Sequence, residues 1–411
     1  MTALTNLKIE DYNYILPNDV IAKYPLEVRD ESKLLIYNKT ITDDIFRNIA
    51  HYLPDNALLI NNNSKVIPAR LTYIKPSGGI IEIFCLEPLH TSVEQGMQAK
   101  NTTEWKCYIG GVAKWSKATK VSWDLDAKNT TTALVATIVL KQHDYFVVEF
   151  RWATDIPFVE VLQSIGKIPI PPYLNRIAEA ADTETYQTVY AQIDGSVAAP
   201  TAGLHFTKEV ISSIEAKNIL TASCTLHVGA GTFKPIKTTF VNQHEMHAEW
   251  VQINKTLIAG IILKLNKYPI ICVGTTSIRS IESLYWWALQ CFNENKLLTN
   301  NYIVPQWVPY QNTPLQKVTE VLEFVVNKME LLQVDAISFK TQIMIVPGYQ
   351  FKICNILITN FHQPSSTLLL LISAFTNEKW NTIYTYALAN NYRFLSYGDS
   401  SLLFNNNDIN T

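Results

Sequence analysis

Much is missing from this chain, and each absence removes a class of function. Its six cysteines (Cys85, Cys107, Cys224, Cys272, Cys291, Cys354) are scattered over 411 residues and include no Cys-x-x-Cys pair. That speaks against structural zinc and a disulfide framework, and fits a reducing cytoplasm. Long hydrophobic runs are absent too: the longest, 368–372 extended to Phe375, falls far short of the roughly 20 residues of a membrane span. Residues 1–10 carry no basic stretch followed by an apolar core, so no signal peptide is expected. Basic charge is scarce, with 34 Lys and Arg against 36 Asp and Glu and a net charge of −2. A nucleic-acid partner would need positive charge gathered into one patch. Gly229-Ala-Gly231 lacks a third glycine and runs into Lys234-Pro235. A Rossmann dehydrogenase or methyltransferase loop is therefore disfavoured. Gly-x-Ser-x-Gly is missing, and with it the esterase elbow.

What remains is a globular chain, 47% hydrophobic and 17% charged, long enough for two or three domains. Residues 7–70 read as mixed α/β, with short buried strands at 34–37 and 57–60, a short helix at 45–53 and a polar turn at 61–64. Between 71 and 151 the character changes to short β-rich runs at 80–86, 106–109, 120–123, 133–140 and 145–150. That spacing predicts a small all-β barrel or sandwich inserted into the α/β domain. The segment carries Lys100, Lys106, Lys114, Lys117, Lys120 and Lys128 among Trp105, Tyr108, Trp115 and Trp123. Basic groups neutralise phosphates and aromatic faces stack bases, which suits RNA. The competing reading puts the tryptophans in the barrel core and the lysines in solvent.

The α/β pattern returns after Asp155-Ile-Pro157. The run Gly-Ser-Val-Ala-Ala-Pro-Thr-Ala-Gly at 195–203 is too rich in small residues for a helix or a packed strand, and it delivers His205 beside a helix capped by Thr207. Such a loop suits an anion site; the bland alternative is a core histidine. Asn254 caps a helix through 267, and 269–273 is a buried strand. Gly274-Thr-Thr-Ser277 then turns into a helix from 278 to about 290. Residues 353–359 repeat the theme, with a buried apolar helix from Ser366. Strand, small polar turn and helix aim free N–H groups at a ligand anion. Arg279 could grip a carboxylate through its planar fork, or simply pair with Glu282 at i+3. Tyr397-Gly-Asp399 offers an aromatic face and a carboxylate to a cation or an adenine edge, or only a capped turn. His244-Glu-Met-His247, with Glu249 following, has i, i+3 spacing instead of the i, i+4 of zinc-protease helices, so no metal is assigned and both histidines and Glu249 are expected to line the reaction pocket.

Ten short motifs in order make the chain resemble the S-adenosylmethionine:tRNA ribosyltransferase-isomerase family of queuosine biosynthesis. They are Tyr24-Pro-Leu-Glu-Val-Arg-Asp30, Val66-Ile-Pro-Ala-Arg70, Ile168-Pro-Ile-Pro-Pro-Tyr173, Tyr186-Gln-Thr-Val-Tyr190 and the run 195–207. Leu226-His-Val-Gly229, Val273-Gly-Thr-Thr-Ser-Ile-Arg279, Pro347-Gly-Tyr349, Thr359-Asn-Phe-His362, and Tyr392-Arg-Phe394 with Ser396-Tyr-Gly-Asp399 complete the set. The resemblance implies an α/β fold: an imperfect barrel-like α/β core (1–70 and 152–411) with an inserted small β-barrel domain (71–151). It implies transfer and isomerisation of the ribosyl moiety of S-adenosylmethionine onto 7-aminomethyl-7-deazaguanine at the tRNA wobble position. The product is epoxyqueuosine-tRNA, with adenine and methionine released. A cytoplasmic monomer with no metal and no membrane contact is implied as well.

By motif position, His205 and His362 would transfer protons and Asp399 would serve adenine or the ribose. Arg279, Thr275, Thr276 and Ser277, with Tyr397 and Asn360, would hold S-adenosylmethionine as co-substrate. Arg70, Lys65, Lys114, Lys117, Lys120, His244 and His247 would face the tRNA. The chain departs from the family at Lys33 and Lys65, usually arginine, at Gln363, at Ser400-Ser401, and in a long segment at 283–340. Two other readings stay open: a divergent paralogue acting on another S-adenosylmethionine-coupled substrate, and a tRNA-binding protein without catalysis.

Overall fold

The computed structural model describes residues 7–115, 121–127, 130–229, 231, 236–298 and 302–405. Its backbone is a ten-stranded mixed sheet flanked by helices, with a separate six-stranded antiparallel sheet. The α/β class and the small β-barrel expected from sequence are both present.

Four neighbouring parallel strands form the centre of the large sheet: Leu220–Leu226, Leu58–Asn62, Ile270–Val273 and Ile356–Asn360. The last three are buried along their whole length, as expected where helices cover both faces of a parallel sheet. From Leu58–Asn62 the chain passes to Leu220–Leu226 on one side, then crosses back to Ile270–Val273 on the other. A switch in strand order of this kind opens a crevice at the carboxyl ends of the strands, where ligands settle.

Three local expectations need correction. The polar turn at 61–64 is instead strand: Leu58–Asn62 runs on, and Ser64–Val66 pairs in parallel with Ile193–Ser196. The buried Asn62 amide makes this work, donating to Leu226 O at 2.9 Å while its Oδ1 accepts from Leu226 N and Ser64 N. The small-residue run at 195–203 is not structureless, because it starts in that strand and ends in the 3-10 turn Thr201–His205. Gly274-Thr-Thr-Ser277 is the first turn of the helix Gly274–Asn293, not a loop before it. Gly274 takes φ +87°, which glycine tolerates, so the helix begins directly off the strand.

Helix caps agree with the sequence where one side chain decides them: Thr207 accepts from Val210 N, Asn254 from Leu257 N and Ser366 from Leu369 N. The segment 283–340 is woven into the fold. The helix Val318–Leu331 buries Val321, Leu322, Val325 and Met329, and Ala336–Thr341 pairs with Glu249–Asn254.

The smaller sheet runs Arg70–Ile74, Ile80–Pro88, Thr102–Gly110, Phe146–Arg151, Thr130–Lys141, Val121–Ala127. Trp123 Nε1–H donates to Thr72 O at 2.9 Å, linking the last strand back to the first. Its only α-helix among the described residues is Val93–Gln98, of six residues, beside the 3-10 turn Val112–Lys114. Trp105 is fully buried in the core of this sheet against Phe158, and Trp115 and Trp123 pack at its margin. For the tryptophans, packing is what the structure records.

Candidate active site

Two adjoining cavities open at the carboxyl ends of the central strands, and both are walled by Val228 and Leu368. The first is a narrow slot of about 70 Å³, the second a wider space of about 470 Å³.

The slot is built from main chain and short side chains. Ala198–Ala202 lies on one side, Gly274, Thr275 and Thr276 on another, and Thr359 to Gln363 follow the strand Ile356–Asn360. No side chain caps the helix Gly274–Asn293, so its first-turn N–H groups and positive dipole end stay available to an anion. Thr276 Oγ1 is buried without a partner among the described residues. Ser277, by contrast, donates to Val273 O at 2.6 Å and does not line the slot.

His205 lies beneath the slot wall and is fully engaged. Asn360 Nδ2 donates to Leu395 O and Ser396 O at 2.9 and 3.2 Å, which turns Asn360 Oδ1 toward His205 Nε2 at 3.3 Å. Nε2 therefore carries the proton, and Nδ1 accepts from Ser32 Oγ–H at 2.8 Å. Burial lowers the imidazole from 6.5 to about 4, so the ring is neutral and fixes Asn360. His362 does line the slot, with Nε2 3.1 Å from Thr359 Oγ1. Burial drives it to about 3, too low for an effective base near neutral pH.

Tyr397 and Asp399 are committed elsewhere. The Tyr397 hydroxyl donates to Asp182 Oδ1 at 3.1 Å, and Arg176 grips the same carboxylate with two N–H groups at 2.6 and 2.7 Å. Asp399 accepts from Lys33 N, Arg393 N and Arg393 Nη2. It is a buried clamp on the chain before the last strand. Neither residue lines the slot or the wider cavity.

Charge is concentrated in the second cavity, where His227, His244, His247, Glu249 and Arg279 meet Glu87, Lys106, Tyr108 and Tyr145 of the β-barrel. Arg279 pairs with Glu249, not Glu282, at 2.6 Å. Glu282 instead accepts from Tyr349 and from the backbone N–H groups of Lys352, Ile353 and Cys354. Glu249 Oε1 also accepts from Gly229 N at 3.2 Å. Arg279 uses one nitrogen on Glu249, while its Nε and Nη2 are buried with no partner among the described residues. His227 places Nε2 3.1 Å from Glu94 Oε1 and leaves Nδ1 buried without a partner among the described residues. Burial lowers His244 below the ordinary histidine value, with His247 adding repulsion.

Of the tRNA-facing candidates, His244 and His247 therefore reach a cavity. Lys65 instead pairs with Asp194 at 3.5 Å, and Arg70 with Glu82 at 2.7 Å while stacking on Phe84. Lys114 sits in the turn after Gly111, its carbonyl accepting from Lys75 Nζ. Lys117 and Lys120 lie outside the described residues. Among the described residues no group of three or more His, Cys, Asp or Glu gathers as a metal requires. Glu249, expected with His244 and His247, reaches the same cavity; the pairing of His227 with Glu94 escaped the sequence reading. His227 stood within Leu226-His-Val-Gly229, but its carboxylate partner is 133 residues away.

The queuosine biosynthesis protein family matches the chain over residues 9–403. An S-adenosylmethionine:tRNA ribosyltransferase-isomerase of Legionella pneumophila (strain Lens) is 37% identical over 400 residues, covering 96% of this chain and 99% of that protein. The protein of the same name from Vesicomyosocius okutanii subsp. Calyptogena okutanii (strain HA) is 35% identical over 405 residues, 98% of this chain and all of its own length. A crystal structure of an S-adenosylmethionine tRNA ribosyltransferase from Thermotoga maritima aligns with TM-score 0.45 and 25% identity, over 95% of this chain and 99% of that one.

Proposed function

The chain belongs to the queuosine biosynthesis protein family, and on that premise we propose how its two cavities divide the work. The protein is an S-adenosylmethionine:tRNA ribosyltransferase-isomerase. It transfers and isomerises the ribosyl moiety of S-adenosylmethionine onto 7-aminomethyl-7-deazaguanine at the tRNA wobble position, giving epoxyqueuosine-tRNA and releasing adenine and methionine. We read it as a cytoplasmic monomer that needs no metal, with a core of 1–70 and 152–411 and an inserted barrel at 71–151.

One observation carries the division: adjoining cavities present unpartnered buried donors along a single helix. Thr275 and Thr276 line the slot. Arg279 lines the wider cavity, and its i−4 and i−3 neighbours on the helix surface are those two threonines. A carboxylate at the junction would take the uncapped N–H groups, the Thr276 hydroxyl and the free fork of Arg279 together. The methionyl carboxylate is the natural occupant, with Glu249 holding the guanidinium in place. The adenosyl part then lies in the slot beside Asn360 and His362, and departing adenine meets their polar edges. His205 acts through Asn360 as a positioning residue. The modified base enters the wider cavity past Lys106 and Tyr108, alongside His244 and His247.

The test is incubation of the purified protein with S-adenosylmethionine and tRNA carrying 7-aminomethyl-7-deazaguanine. Adenine and epoxyqueuosine-tRNA should form together, and unmodified tRNA should yield neither. Adenine release that ignores the modified base would favour another substrate, and no release at all would favour a binding protein.

A further inference from the structure

We propose that His227 is the base that takes a proton from the aminomethyl group of the modified nucleotide, held for that task by Glu94 of the β-barrel. The proposal rests on the function above and adds a catalytic residue to it. His227 follows directly on the strand Leu220–Leu226, with its backbone N–H bonded to Trp250 O at 3.3 Å. Its ring lines both the wider cavity and the neighbouring groove. Nε2–H points at Glu94 Oε1, 3.1 Å away, which leaves the Nδ1 lone pair as the free basic position. A buried polar atom without a partner is destabilising, so this nitrogen is kept at the expense of stability.

The seat of the ring is tight. A Cβ at Gly195 would fall 2.9 Å from His227 Nδ1 and 2.3 Å from Val93 Cγ1, so only glycine lets the strand close over the pair. Val93 and Glu94 open the six-residue helix of the barrel segment. The barrel thus supplies the carboxylate, the core supplies the imidazole, and the site exists only where the two meet.

The chemistry follows the logic of a base oriented by a third group. A primary alkylamine resembles lysine, with a pKa of about 10.4, so it arrives as an ammonium ion and cannot attack carbon. One N–H bond breaks, the proton moves to Nδ1, and the electron pair stays on the amine nitrogen as the nucleophilic lone pair. The imidazolium formed donates Nε2–H to a carboxylate that stays ionised, since its hydrogen bond to His227 pulls Glu94 down to about 2. Glu87, Lys106, His244, His247, Glu249 and Arg279 share the cavity, but Glu94 is the charged group in hydrogen-bond contact with the ring.

The experiment measures single-turnover formation of epoxyqueuosine-tRNA across pH for wild type, His227→Gln and Glu94→Gln. His227→Gln should slow product formation by about 10²–10⁴-fold near neutral pH with S-adenosylmethionine binding kept. Its deficit should shrink toward pH 10, where the amine loses its proton unaided, and added imidazole should restore part of the rate. A deficit constant across pH and blind to imidazole would make the role structural and overturn the proposal, as would a wild-type rate. Should His227→Gln fail to fold, Glu94→Gln decides: loss of the orienting carboxylate should slow product formation near neutral pH with a deficit that shrinks toward pH 10, and a wild-type rate or a deficit constant across pH contradicts the proposal. A wild-type protein that makes no product from the same substrates overturns the underlying function instead.

Discussion

The slot and the wider cavity share a wall but handle their histidines in opposite ways. Both histidines at the slot are driven neutral by burial, to about 4 at His205 and about 3 at His362. His205 has both ring nitrogens bonded, and Asn360 is locked by two carbonyls. In the wider cavity, a guanidinium and an imidazole each keep buried nitrogens unpaired among the described residues. Satisfied polar groups give a rigid mould; unsatisfied ones are held ready for a partner that arrives later. In the proposed function, binding shape belongs to the slot, and proton and charge chemistry to the wider cavity.

The largest break in that contrast comes from the buried ion pair. Arg279→Met takes the guanidinium away from the buried Glu249 carboxylate and should cost about 3–5 kcal/mol of stability, read by denaturant unfolding, while abolishing turnover. Arg279→Met combined with Glu249→Met should recover most of the stability and none of the activity. Recovered activity in the double variant would mean that the pair only holds the fold.

A smaller effect comes from the neutral histidines. Their folded values near 4 and 3 lie below the ordinary 6.5, so the unfolded chain binds more protons across that interval. The stability they contribute is full above about 6.5 and is lost as pH falls through 4 toward 3. Melting temperature should drop over that window, and His205→Gln should flatten the drop. An unchanged slope would place a charged, not a neutral, ring at that site.

Smallest of all is Thr276→Val. The hydroxyl has no partner among the described residues, so its removal should leave stability nearly unchanged. The apparent KM for S-adenosylmethionine should rise about fivefold, the worth of one net hydrogen bond. A fall in stability with no change in KM would turn the hydroxyl back toward the protein.

How much of this was legible in the sequence depends on how far apart the partners are. Thr207, Asn254 and Ser366 each cap an N–H three residues on, and local chemistry revealed them. Several strands of both sheets followed from short apolar runs, and the α/β core with its β-barrel followed from their spacing, while Thr40–Ile45, Glu249–Asn254, Ala336–Thr341 and Ser400–Phe404 were not read as strands. The turn expected at 61–64 failed because the Asn62 amide finds its partners on Leu226, in another strand. Small polar residues at 274–277 resemble a turn, yet a glycine at positive φ lets the helix start at once. Arg279 was matched to Glu282 by helical spacing, but Glu282 is drawn to the backbone of 352–354 and Glu249 takes the guanidinium from 30 residues away. His205 stood out because its neighbours in sequence are unusual. His227 stayed hidden because its partner lies across the chain in the barrel.

The most direct measurement sets those two histidines side by side: the pH dependence of product formation for wild type, His205→Gln and His227→Gln, with S-adenosylmethionine and modified tRNA saturating. The account predicts that His205→Gln keeps the shape of the wild-type profile with a modest loss of rate, while His227→Gln loses nearly all of the rate at neutral pH and regains part of it toward pH 10. A rate lost at neutral pH in His205→Gln and kept in His227→Gln would contradict it and return the proton chemistry to the slot.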